Sequence, residues 1–191
     1  MLLLVPTAHE AALLYPDPPP APLEVIGFGP IEAAVGAMAA IAAHPAAAAA
    51  GVWLIGAAGT YDASTLPIGG ALAAGSVRCH GIGVGEGPGH RGAAELGWSP
   101  GAVIPLAGDG GELLTVTSAA TGPDEAGERR RRYPSAVAEE MEGYAVALAA
   151  TRSGVRLTIV RGISNVAGVR DGWQLERGLV AARSLLEELA R

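Results

Sequence analysis

Short apolar and β-branched runs alternate along this chain with longer stretches patterned for helix, and that alternation sets the fold class. The runs fall at residues 2–5, 23–26, 52–55, 77–84, 102–106, 113–117 and 155–163, and the helical patterns at 30–43, 141–153 and 173–190. Strands separated by helices predict an α/β domain with a largely parallel sheet. The helix ends have mechanical support. Pro30 suits a first turn, where a missing N–H costs nothing, and His44-Pro45 closes that helix. Gly154 can take the left-handed conformation that ends the middle helix. Asp171 followed by Gln174 predicts a capping box for the last helix.

At 191 residues the chain suits one domain, residues 1–191, with a core that needs no disulfide; its one cysteine, Cys79, has no partner. Thirteen basic residues, all arginine, stand against nineteen acidic ones, for a formal charge of −6. An acidic chain without lysine is poorly suited to phosphate backbones, so neither nucleic acid nor an anionic membrane is expected as a partner. The opening apolar run stops at Pro6, too short for a secretory core or a membrane span, and a soluble cytoplasmic protein is expected.

Several features carry little chemistry. His9, His44, His80 and His90 show no i, i+4 pairing, and Cys79-His80 stands alone, so no metal site is predicted. Gly27-Phe28-Gly29 lacks the third glycine of a phosphate loop because Glu32 occupies its place. The glycines spaced through 81–89 read as close-approach turns in a mobile loop. Residues 46–50 extend or fray a helix. The Arg129–Arg132 run, following Asp124, Glu125 and Glu128, predicts a solvated, ion-paired helix face.

Two segments are informative. An apolar approach at 135–138 runs into Glu139, Glu140 and Glu142 ahead of an alanine-rich helix. Carboxylates at a strand's carboxyl end are where open α/β sheets bind ligands, although surface acids at a helix start would satisfy the pattern equally. In Ile159–Asn165 a β-branched strand holds an arginine and ends in Ser164 and the chain's one asparagine. A buried arginine requires a carboxylate, for which Glu10, Glu140 and Glu142 are candidates. Asn165 fits either a ligand-binding amide or a turn.

Together these segments resemble the purine nucleoside phosphorylase and nucleosidase family, and within it most of all the futalosine hydrolase subgroup. The resemblance runs from Thr7-Ala8-His9-Glu10, similar to the family's first strand and loop, through Gly27-Phe28-Gly29-Pro30 and Ile55-Gly56-Ala57-Ala58-Gly59. It continues to Glu140-Met141-Glu142-Gly143 and Arg161-Gly162-Ile163-Ser164-Asn165. Residues 14–23 are shorter than the corresponding stretch of typical members, and Leu66-Pro67-Ile68-Gly69 lacks the aspartate that follows in the family pattern. Val169-Arg170-Asp171 with Trp173 also looks like the subgroup.

The resemblance implies a three-layer α/β/α architecture around a mixed twisted sheet, nucleoside phosphorylase-like, with the site at strand carboxyl ends, and a homodimer acting on a small-molecule nucleoside. It implies no cofactor. Glu10 would be the general base, Arg161 would orient the water or that glutamate, and Asn165 would bind the departing purine. Glu140, Met141 and Glu142 would bind the sugar, with Ala58, Gly59 and Ser164 completing the substrate site. No arginine stands where family phosphorylases hold phosphate, which implies hydrolysis. An asparagine offers N–H to N7 and O6 of a 6-oxopurine, so release of hypoxanthine is expected. His90-Arg91 is the expected cation for the acidic end of futalosine. The rival readings are a methylthioadenosine/S-adenosylhomocysteine nucleosidase and a non-catalytic purine-nucleoside binding protein.

Overall fold

The computed structural model describes residues 1–85, 87–98 and 103–191. The elements run in chain order β1 (Leu2–Val5), α1 (Ala8–Leu14), β2 (Leu23–Val25), α2 (Gly29–Ala43), α3 (Pro45–Ala50), β3 (Val52–Thr60), β4 (Ala71–Ala73) and β5 (Ser76–Cys79). They continue as β6 (Gly83–Val84), β7 (Arg91–Gly92), β8 (Ile104–Pro105), β9 (Glu112–Thr115), α4 (Pro123–Arg132), β10 (Ala136–Glu140), α5 (Gly143–Ser153), β11 (Leu157–Val166) and α6 (Leu175–Leu189).

Period-two alternation builds the layers. Leu2, Leu4, Val52, Leu54 and Ile159 face a core shared with Ala33, Ala37 and Ala40 of α2 and Val146 and Ala150 of α5. The intervening Leu3, Val5, Ile55 and Val160 face Leu179, Ala182 and Leu186 of α6. Helices therefore cover both faces, in the three-layer α/β/α arrangement of a mixed sheet. The parallel strands β2, β1, β3 and β11 form its regular part. Beyond β1, the end of β3 turns to pair antiparallel with β10, which leads through parallel β9 and β5 to antiparallel β8. β4 adds antiparallel to β11, so the sheet is less parallel than the strand–helix alternation predicts.

Other expectations shift for local reasons. Residues 8–14 form a helix where a loop was expected, because Thr7 caps it and accepts a hydrogen bond from the Glu10 N–H. Gly154 does end α5 in the left-handed region, at φ 67°. Residues 45–50 form a separate helix, with Pro45 in its first turn. The predicted capping box before α6 is absent: Gln174 is itself the cap residue, and its N–H donates to the Ser164 carbonyl at 2.7 Å. That bond ties the helix start to the end of β11. In the glycine-spaced stretch, β6 and β7 pair antiparallel, and a Cβ on Gly83 would lie 2.0 Å from the Arg91 carbonyl oxygen. Glu86 of that stretch, and residues 99–102, including the start of the strand expected at 102–106, lie outside the described residues.

Candidate active site

The segments that follow or end β1, β3, β9, β10 and β11 converge on a cavity of about 610 Å3, within the size range of small-molecule sites. Pro6, Thr7 and Glu10 enter it after β1, and Ala57, Ala58 and Gly59 from β3. Val116 to Ala119 follow β9, Glu139 to Glu142 close β10, and Ser164 and Asn165 end β11. Eight of the nine site residues expected from the sequence line this one space. The ninth, Arg161, lies just behind it.

Arg161 is fully buried within β11, and its Nη2 donates to Glu140 Oε2 and, at 3.1 Å, to Glu142 Oε2. Of the three carboxylates open to it in the sequence, Glu140 and Glu142 are thus its ion-pair partners, and Glu10 approaches from the other side. A Cβ on Gly56 would sit 2.2 Å from Arg161 Nη1 and 3.1 Å from Glu10 Oε1. Burial pulls the guanidinium pKa down, but Glu140, Glu142 and Glu10 outweigh it and leave it raised. Arg161 therefore stays charged among three carboxylates.

The surface-acid reading of 139–142 is overturned: Glu139, Glu140 and Glu142 are all buried. The Glu140 carboxylate is saturated by Arg161, by the Thr115 hydroxyl and by the N–H groups of Glu142 and Gly143 at 3.0 and 2.7 Å. Glu142 is the cap residue of α5 and accepts a 3.0 Å hydrogen bond from the Gly29 N–H at the start of α2. Burial pushes its carboxyl up to about 7; Arg161 opposes this and Glu140 reinforces it. Glu10 is held from two sides, Oε2 by the Thr7 hydroxyl at 2.8 Å and Oε1 by the Ala57 N–H at 3.1 Å.

Asn165 sits in strand, not in a turn. The register of β11 against β3 shifts between Ile163 and Asn165, and such an irregularity re-aims a side chain. Its Oδ1 accepts from the Ser164 hydroxyl at 2.8 Å, and one Nδ2–H donates to the Val166 carbonyl at 3.0 Å. The remaining N–H is available to a ligand. Gly59 makes room for the amide, since a Cβ there would lie 3.0 Å from Nδ2.

Three features were missed by the sequence reading. Thr115 anchors both Glu140 and the Tyr144 N–H; nothing in an apolar strand marks that threonine. Phe28 and Arg170 line the cavity with Trp173, whereas the expected His90 and Arg91 do not; His90 is buried instead, its Nδ1 against the Gly85 carbonyl. The solvated face expected for Arg129–Arg132 fails at Arg129, which is buried between Glu139 and Glu125 because α4 turns it onto β10. Among the described residues no group of three or more His, Cys, Asp or Glu side chains is placed to hold a metal ion.

The arrangement has close counterparts of known structure. The native futalosine hydrolase of Helicobacter pylori strain 26695 superposes with TM-score 0.79 at 15% identity, covering 99% of this chain and 96% of that one. The methylthioadenosine/S-adenosylhomocysteine nucleosidase of Colwellia psychrerythraea, solved with adenine, gives 0.75 at 19% identity over 97% and 91%. This chain has the nucleosidase fold. In sequence, a futalosine hydrolase of Acidothermus cellulolyticus is 53% identical over 72 residues, 36% of this chain and 29% of that relative. One from Streptomyces coelicolor is 38% identical over 103 residues, 52% and 40% of the two chains. The matched part thus spans well under half the length of either curated relative. No protein-family model matches the chain.

Proposed function

We propose that this protein is a nucleosidase that hydrolyses the N-glycosidic bond of futalosine, releasing hypoxanthine and dehypoxanthinylfutalosine in the futalosine route to menaquinone. The observation that carries the reading is one cavity lined by both the Glu10, Glu140 and Glu142 carboxylates and the single carboxamide of Asn165. Cleavage passes through an oxocarbenium-like sugar, which clustered negative charge stabilises while the leaving base receives a hydrogen bond. Glu142 accepts the ribose hydroxyls, Met141 packs against the sugar, and Glu10 activates the attacking water. Glu140, with its oxygens already satisfied, acts by fixing Arg161 and Glu142. Asn165, its oxygen engaged by Ser164, presents N–H to the purine.

Water as nucleophile is supported by the cations of the site. Arg161, behind the cavity, is spent on two carboxylates, and among the described residues Arg170 is the one arginine lining the cavity. Similarity to the two curated futalosine hydrolases supports the substrate. A cytoplasmic homodimer belongs to the same reading. Phe28, Ile31, Val35 and Met38 are exposed at spacings of three, four and three residues along the start of α2, a seam suited to a second helix.

Incubation with futalosine, methylthioadenosine and inosine, each with and without phosphate, tests the reading by the free base released. Hypoxanthine from futalosine alone, independent of phosphate, is the expected result. Adenine release would favour the methylthioadenosine nucleosidase, and binding without turnover would leave a non-catalytic nucleoside binder.

A further inference from the structure

Loop 116–121 forms one wall of the cavity, and its backbone is held by a partly buried ionic network that takes no part in the chemistry above. Glu139 Oε1 accepts from the Ala120 N–H at 2.8 Å, while its Oε2 accepts from Arg129 Nη1 at 2.8 Å and the Tyr61 hydroxyl at 2.9 Å. Glu125 Oε2 accepts from the next amide, Thr121 N–H, at 2.8 Å and from the Thr121 hydroxyl at 2.9 Å, and Glu125 Oε1 accepts from Arg129 Nη2 at 2.5 Å. One guanidinium therefore bridges the two carboxylates that grip consecutive amides of the loop. Arg129 and Glu139 are each more than nine-tenths buried. Burying such a pair is expensive unless its hydrogen bonds are met, and a hydrophobic contact would fix the helix as well without specifying where two loop amides lie.

We propose that Arg129, acting through Glu139 and Glu125, is a positioning residue that sets substrate affinity by fixing the 116–121 wall. The proposal rests on the nucleosidase reading for the identity of the substrate, but not for the clamp itself. Arg129→Met is expected to raise KM about tenfold while kcat stays within about threefold, the pattern of lost uniform binding. Arg129→Lys restores part of the loss. Hydrogen exchange at the Ala120 and Thr121 amides quickens in the methionine variant, and calorimetric binding of hypoxanthine weakens in parallel.

Arg129→Met leaves Glu139 buried and unpaired, so Glu125→Gln serves as the milder probe. It frees the Thr121 side of the clamp at a half-exposed site and is expected to raise KM about threefold. Folded variants with wild-type KM and wild-type hypoxanthine affinity would overturn the proposal, even with a lowered melting temperature. Wild-type protein that binds hypoxanthine but cleaves no nucleoside would sink the nucleosidase reading alone. A wild type that neither binds hypoxanthine nor cleaves a nucleoside would overturn both.

Discussion

Glu142 concentrates the electrostatic conflict of the site. In its proposed role it accepts two sugar hydroxyls, which the ionised carboxylate does best, yet burial lifts its carboxyl from 4.5 to about 7. kcat/KM should therefore fall as pH drops below about 7, and a pH–rate profile without an acid limb near neutrality would contradict this assignment. The same shift acts on stability with a definite sign. Between the two values the folded state holds a proton that the unfolded chain releases, so this group's contribution is largest at the acid end and is lost as pH rises through about 7. Urea unfolding across that window should show a shallower decline with pH in Glu142→Gln than in wild type. Glu10 is the simpler case. Glu10→Gln keeps the size of the side chain but removes the proposed base, and turnover should fall by roughly 10²–10⁴; near wild-type kcat would move the role elsewhere. The capping Thr7, three residues ahead of Glu10, was passed over when this stretch was read as strand and loop. The saturation of Glu140 was not legible in the sequence, because its partners Thr115 and Arg161 lie 25 and 21 residues away.

Elements place these residues by close contact. Helix α6 crosses β11 where glycine meets glycine: a Cβ on Gly162 would lie 1.8 Å from the Gly178 carbonyl oxygen, backbone that cannot swing aside. Gly162→Ala must push α6 off the strand that carries Arg161 and Asn165. It should cost about 3 kcal/mol, as overpacking does at its severe end, read as a lower urea midpoint at unchanged m-value. An unchanged midpoint would show that α6 is not seated as described. Most strand positions and the α2 and α5 C-terminal ends were readable because periodicity and Pro, Gly punctuation act within one turn or strand, whereas the three-residue β4 is too short to show a period. The inward turn of Arg129 on α4 was not, since a run of four arginines reads as solvated until an unpaired Glu139 on another element demands one of them. The absent box before α6 follows the same logic, a distant carbonyl on Ser164 outcompeting a local cap.

At the level of the whole molecule, the exposed seam on α2 bears on assembly. Ile31 is 81% exposed and Val35 69%, an apolar surface that a soluble monomer rarely carries. The wild type should sediment as a dimer, and Ile31→Glu with Val35→Glu as a folded monomer, because neither side chain supports the protomer's own core. A monomeric wild type would remove the dimer from the proposed function. By itself, the sequence determined the alternating strands and helices, the acidic segment at the end of one strand and the arginine and asparagine on another. Those are local matters of period, propensity and residue type. Only the tertiary structure decided that β3 bends from β1 to β10, bringing Glu10, Glu142 and Asn165 around one cavity, and which charges pair behind it. Burial and ion pairing depend on distances between elements far apart in the chain, and these exist only once the sheet has closed around them.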